Sequence, residues 1–350
     1  SRTNKEKEEL SFNEKRKLTD FLKRQQQQDQ LMQKFTQELQ ENLEEFQKDN
    51  PEDDEFKELL KERLERQQKE LERNEKLMEE LRELTDRINQ EELSKELGKL
   101  ARNQKNNKRN LEQLLELTKR YYVSAKAAQL QQDLERLAKA QEELSNKKDE
   151  ENTKEKQDEL NKKFEEFQEE MEQLQHDNEA LKKPMDIPQD KKTEREINEE
   201  QQKASDNLQE SEQQNNEQQQ QQSQQKAQQQ QKNAARKMKQ MSQEMQQQMQ
   251  VGSQQQAAED AEMLRQILDN IVVFSFEQEA LLSKFNRSST SASPDFSKNL
   301  RRQNELRELF QHVDDSLFAL SLRLPQIAET VNKEISNVYF NIDKALDRLA

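Results

Sequence analysis

The chain has 350 residues, 29% of them hydrophobic and 37% charged, with a formal net charge of −15. Globular domains run nearer about 45–50% apolar and about 25% charged, so this composition argues against one large compact core. A net acidic chain also lacks the basic surface by which a general nucleic-acid binder displaces counterions. No cysteine is present, which removes disulfides, thiolate nucleophiles and Cys-ligated zinc.

Two glycines and five prolines leave room for long unbroken helices, and the absence of tryptophan leaves little material for sheets. Residues 1–48 carry a sparse seam, Leu18, Leu22, Met32, Phe35, Leu39, Leu43 and Phe46, interrupted by Gln25 to Gln28. Asn50-Pro51-Glu52 predicts a helix restart, with Asn50 as cap and Pro51 at the first helical position. The next seam runs through Phe56, Leu60, Leu64, Leu71, Met78, Leu81 and Ile88. Gly98 and Asn103 to Asn107 fit either a turn or two polar layers in one continuous helix, because Leu97, Leu100, Gln104, Asn107, Leu111 and Leu114 stay in phase.

Beyond Tyr121-Tyr122-Val123 the seam shifts to Leu130, Leu134, Leu137 and Leu144. Ser145 to Thr153 predicts a turn, and Leu160, Phe164, Phe167, Met171, Leu174 and Leu181 predict the returning helix. Lys183 to Pro188 predicts an extended connection, since each proline biases its predecessor away from the helical region. Thr193 with Glu196 offers a capping box for the following helix. A Gln-rich stretch with Gln218 to Gln222 unbroken leads into a stripe of Ala234, Ala235, Met238, Met241, Met245 and Met249. Helical spacing favours packing over a soft-metal site for those methionines. Val251-Gly252-Ser253 predicts the end of that helix, with Ser253 and Gln256 capping the next.

The densest apolar pattern lies between Ala257 and Ala350. Leu264, Ile267, Ile271, Phe274 and Leu281 face one way, and Leu306, Phe310, Val313, Leu317 and Leu320 recur at steps of four and three. The breaker from Asn286 to Pro294 makes these two runs an antiparallel helical hairpin, with Ser293 as cap of the second helix. Phe274 is expected near Phe310, and Leu264 near Leu317. The second helix outruns the first, so Ile327, Val331, Ile335, Val338, Ile342, Leu346 and Leu349 form a stripe that the hairpin leaves bare, with Pro325 at its start. That stripe is the candidate interface for the N-terminal arm, a second copy or a partner protein.

The expected fold is all-α: long coiled-coil-like helices in antiparallel hairpins, elongated and without a sheet. Three regions are expected: a charged coiled-coil arm at 1–183, a Pro turn with the Gln/Met-rich helix at 184–252, and the apolar hairpin at 253–350. No glycine-rich phosphate loop, Gly-x-Ser-x-Gly or His-Glu-x-x-His occurs. Asp314 and Asp315 are neighbours on a helix and point apart, so they do not form an acid/base pair. No catalytic, cofactor-binding or metal-binding residue is therefore assigned. Lys232, Arg236, Lys237 and Lys239 are expected to be a solvated basic face. No run approaches about 18 consecutive apolar residues, so no membrane span is expected.

Several strings carry a resemblance. Asn110-Leu111-Glu112-Gln113-Leu114-Leu115-Glu116-Leu117-Thr118-Lys119, Met263-Leu264-Arg265-Gln266-Ile267-Leu268-Asp269-Asn270 and His312-Val313-Asp314-Asp315-Ser316-Leu317-Phe318-Ala319-Leu320-Ser321, with the turn Lys183 to Pro188 and the Met238 to Met249 stripe, resemble a family of large, membrane-anchored, coiled-coil-rich Bacteroidetes proteins with no assigned activity. The chain begins at Ser1 and stops in helical pattern at Leu346-Asp347-Arg348-Leu349, and is expected to be the helical C-terminal part of a larger protein. The resemblance implies a cell-envelope setting on the periplasmic side of the inner membrane, tethered through N-terminal segments outside this sequence. The expected function is a non-enzymatic scaffold that binds a protein partner, or itself, through helical seams. Holdase-like chaperone arms, or the regulatory arm of an enzyme, are the alternatives.

Overall fold

The computed structural model describes residues 11–49, 55–84, 90–148, 151–287 and 294–349. Among them the chain is all-α. Eight helices are present and no strand: α1 (Phe12–Asp49), α2 (Glu55–Leu84), α3 (Gln90–Ser145), α4 (Lys154–Glu179), α5 (Lys191–Gln213), α6 (Glu217–Arg287), α7 (Pro294–Ser321) and α8 (Thr330–Leu349). The expected caps Asn50 and Ser293, the restart at Pro51 and the seam residue Ile88 lie outside the described residues.

Two compact units form, one from residues 1–119 and 260–350, the other from 120–259. Helices α3 and α6 each contribute to both. Positions 183 and 252, where the sequence suggested divisions, both fall inside the second unit.

In the first unit α1 returns antiparallel on α2, with Gln26 bonded to Arg82 and Gln33 to Glu75. Leu18, Leu22, Met78, Leu81, Leu93 and Leu100 close a small core between α1, α2 and the start of α3. Gly98 does not break α3: nothing lies within reach of a Cβ there, and a single helical glycine costs only about 1 kcal/mol relative to alanine. The polar layer expected at Asn103 to Asn107 is present, with the Asn103 amide donating to Asn74 across the seam at 2.9 Å.

The second unit is an up-down-up-down bundle of the end of α3, α4, α5 and the first part of α6. Its core holds Leu130, Leu134, Phe164, Phe167, Met171, Leu174, Ile197 and the expected methionine seam, Met238, Met241 and Met245. The connection from α4 to α5 is pinned by Asn178, whose side chain bonds both the N–H and the C=O of Met185. Asp190, not Thr193, caps α5. Its carboxylate accepts from the Lys192 and Thr193 amides and from the Thr193 hydroxyl, which uses up the group a capping box would need.

Helix α6 also departs from expectation, because it runs through Val251-Gly252-Ser253 without a stop. No glycine in the chain has positive φ, so Gly252 is an ordinary helical residue. Its role is close approach: a Cβ there would sit 3.2 Å from the Cβ of Asp186 in the α4–α5 connection. The Gln218 to Gln222 run is a solvated first turn of the same helix, and Asn216 accepts from the Gln218 amide ahead of it.

Beside the α3–α4 turn the interior of this bundle holds an amide layer. Gln141 (α3), Gln157 (α4), Gln201 (α5) and Gln231 (α6), with Asn152 from the α3–α4 turn, are each at most 1% exposed. Gln141 and Gln157 exchange reciprocal bonds at 2.7 and 3.0 Å. Gln201 donates to Gln141 at 3.0 Å, Gln231 donates to Gln157 at 2.9 Å, and Gln231 and Asn152 exchange bonds at 2.8 Å. Each amide bonds at least one other, with Gln201 Oε1 left without a partner, so removing a central member such as Gln157 leaves further buried groups unpaired. Gln157→Leu should lower stability by about 1–3 kcal/mol in thermal melts, whereas changing Gln141, Gln157, Gln201 and Gln231 to Leu together with Asn152→Ala should recover most of that loss.

A second buried polar group has the opposite character. Asp29 of α1 is 1% exposed, and both its carboxylate oxygens lack a well-formed hydrogen bond. Burial pushes its carboxyl up to about 6, partly offset by the Asn74 amide and reinforced by the Glu75 charge. The folded state then binds the proton more tightly than the unfolded state, so stability should fall as pH rises from about 4 to about 6. Asp29→Asn should abolish that fall and raise stability at pH 7.5 by an amount on the order of 2 kcal/mol, read as a pH series of melting curves.

Candidate interaction surface

The C-terminal seam forms where α6 turns back on α7. Leu264, Ile267, Ile271 and Phe274 meet Phe310, Val313, Leu317 and Leu320 in one cluster, and Leu281 and Leu306 are buried. The Phe274 and Phe310 rings lie 5.0 Å apart, as an antiparallel hairpin requires. Towards its connection, Gln278 and Gln303 exchange amide bonds, and Phe285 meets Phe296 edge-on.

Beyond Ser321 the chain does not continue straight. Residues 322–329 turn, and α8 runs back along α7, with Arg307 on Asp343 at 2.8 Å and Tyr339 edge-on to Phe310. Pro325 accounts for the break, because it has no N–H for the helical ladder and its ring disfavours helix at Leu324. The stripe expected to be bare beyond the hairpin is therefore covered from within the chain. Ile335 and Ile342 are buried, and Ile327, Val331, Val338 and Leu346 pack against the same cluster as Phe310. The Leu349 side chain lies outside the described residues.

The other side of α8 meets α2 and α3 through polar groups. Arg63 of α2 is fully buried. Its guanidinium donates to the carbonyls of Pro325 and Ile327 at 3.2 and 3.4 Å and to Gln113 Oε1 at 3.2 Å, with Glu329 3.4 Å from Nε. Burial lowers its pKa, and the Glu329 charge opposes that. Arg66 also bonds Glu329, which raises its own pKa. Gln113 donates to Ser321 at 2.6 Å, Asn332 donates to Asn110 and Gln113, and Ser336 donates to Asn106.

Arg109 grips Asp314 with two bonds, at 2.9 and 2.5 Å, and lies over the Phe318 ring. Asp314 is buried in that pair while Asp315 is exposed, the divergence that adjacent helical positions dictate. Burial, with help from Asp314, pushes the Tyr339 hydroxyl up to about 12.

What remains open is the outward face of α6. Leu268 and Val272 are each 52% exposed, Val273 59%, Phe276 67% and Leu282 58%. The helix thus carries two apolar stripes, one in the core through Ile267 and Phe274 and one in solvent. The signal was present in the sequence, because Leu268, Val272 and Phe276 are themselves spaced by four. A concavity of 310 Å³ lies between α3 and α4. It has a floor that includes Leu130, Leu137 and Phe167 and a rim that includes Asp133, Arg136 and Glu166.

Of the basic cluster, Lys232, Arg236 and Lys239 are exposed, while Lys237 bonds Glu196 of α5 at 2.5 Å. Among the described residues no group of His, Asp or Glu is arranged to hold a metal ion, and no helix is long and apolar enough to cross a membrane. Compared with family models, with curated proteins and with solved structures, the chain matches none.

Arg63 is the most exacting contact of the C-terminal lock. Arg63→Met should cost on the order of 3 kcal/mol, because two carbonyls lose their side-chain donor and Gln113 and Glu329 each lose one of two partners. Native-state hydrogen exchange should show α8 opening faster than α4 and α5.

Proposed function

We propose that this chain is a non-enzymatic helical scaffold that docks a protein through the outward face of α6. The observation that carries this reading is the row Leu268, Val272 and Phe276, each more than half exposed. It lies on a helix whose opposite face is locked into the core by Ile267, Ile271 and Phe274. Contiguous exposed apolar side chains on an otherwise charged molecule mark an interaction site. The anchored inner face holds the outer one rigid, so little ordering entropy opposes docking. A helical partner laid along α6 would meet anchors spaced by one helical turn. The resemblance of the Met263 to Asn270 and His312 to Ser321 strings supports placing this scaffold in the cell envelope, tethered through segments outside this sequence.

The triple change Leu268→Asp, Val272→Asp and Phe276→Asp tests the reading. All three positions are solvent-exposed, so helicity and melting temperature should hold. Crosslinking mass spectrometry in native membranes should show stoichiometric crosslinks to α6 in the parent and their loss in the variant. Equal crosslinks in both would defeat the docking-face reading.

A further inference from the structure

The outward stripe of α6 has an internal symmetry. Arg265, Leu268, Val272, Phe276 and Glu279 follow one another at steps of three, four, four and three. At about 100° per residue these five positions fall within an arc of about 80°. The spacing reads the same in both directions about Val272, with a cation at one end and an anion at the other. All five are exposed.

We propose that this face pairs with the same face of a second copy, antiparallel, with Val272 on the two-fold axis. The proposal deepens the docking-face reading above and rests on it. In this arrangement Val272 layers on its own symmetry mate, Leu268 on Phe276 of the other copy, and Arg265 on Glu279, each of the latter twice. Parallel pairing would stack Arg265 on Arg265 and Glu279 on Glu279, like charges at both ends. Antiparallel pairings shifted by seven residues would set Val272 against Glu279 or Arg265.

Charge complementarity and register therefore select one geometry. Arg265 already bonds Glu262 and Asp269 within α6, using Nε, Nη1 and Nη2. A guanidinium has five N–H donors, so donors remain for Glu279 of the second copy. The three apolar side chains Leu268, Val272 and Phe276, with Arg265 and Glu279 flanking them, supply about 500 Å² per copy and about 1,000 Å² in all, below the range of standard stable interfaces, so association belongs in the micromolar range.

The absence of cysteine makes the test direct, because any introduced thiol is unique. In the full chain under mild oxidation, Val272→Cys should give a disulfide-linked dimer. Leu268→Cys alone and Phe276→Cys alone should not, since each lies about 12 Å along the axis from its own symmetry mate, beyond the reach of a disulfide. Mixing those two variants should yield the crosslinked heterodimer.

In sedimentation equilibrium, Arg265→Glu and Glu279→Arg should each weaken dimerisation about tenfold, and together should restore it. Crosslinking of all three single variants to themselves would show parallel or random contact and overturn the pairing. So would a parent chain that stays monomeric well above micromolar concentration. Neither result touches the docking-face reading, which fails only if crosslinks to other proteins survive the triple Asp change.

Discussion

Scarcity of apolar side chains is the constraint on which this structure depends. With 29% hydrophobic residues the seams between helices cannot be filled by leucine and methionine alone, so polar groups must be buried. A buried amide or guanidinium is tolerable only when its partners are also buried and aimed at it. The bundle of residues 120–259 meets that condition with five mutually bonded amides drawn from four helices and a turn. Hydrogen bonds of this kind are directional, whereas apolar contact is not. A slip of one helical turn would preserve much of the apolar contact but leave the amides unpaired, so the layer fixes register where a thin apolar seam would not.

The first unit uses the same solution with a different chemistry. Here α8 is held on one side by Ile335 and Ile342 against α7, and on the other by Arg63, Asn110 and Gln113. Pro325 creates the requirement as well as the site. By ending α7 it exposes backbone carbonyls in the turn, and the buried Arg63 donates to two of them. Asp29 departs from that solution, a buried carboxylate with incomplete partners between α1 and α2. It contributes instability at neutral pH in a seam that is otherwise ordinary.

Much of the architecture was legible in the sequence, because helical periodicity survives even when apolar residues are sparse. The α6–α7 hairpin, the Phe274–Phe310 contact, the end of α3 at Ser145 with α4 starting after Thr153, the extended Lys183 to Pro188 connection and the methionine seam could all be read from spacing. Three features could not. Gly252 looked like a helix stop because the reason for it, Asp186 beside it, is distant in sequence. The return of α8 was missed because Pro325 fits a kink and a full reversal equally well, and contacts that help secure the reversal, such as Arg63 on the Pro325 carbonyl, lie more than 260 positions apart in sequence. Glutamines at 141, 157, 201 and 231 are indistinguishable by composition from the many solvated ones around them. The candidate surface was half legible: the inner stripe of α6 dominated the pattern, and the outer stripe, four residues to the turn, ran beside it.

The division of the first unit between residues 1–119 and 260–350 has a consequence for how the chain is made. Helices α1 to α3 leave the ribosome early, and the segment that completes their unit follows only after 140 intervening residues, 120–259. At about 5–20 residues per second that interval lasts on the order of 10 s, long enough for collapse and aggregation to compete. The face of α2 and α3 that awaits α8 presents Arg63, Asn106, Asn110 and Gln113, groups that water satisfies well. The polar part of that unfinished side thus stays wetted while it waits. The sticky surface, Ile335 and Ile342, is synthesised after its apolar partner α7 and meets it at once across a short turn.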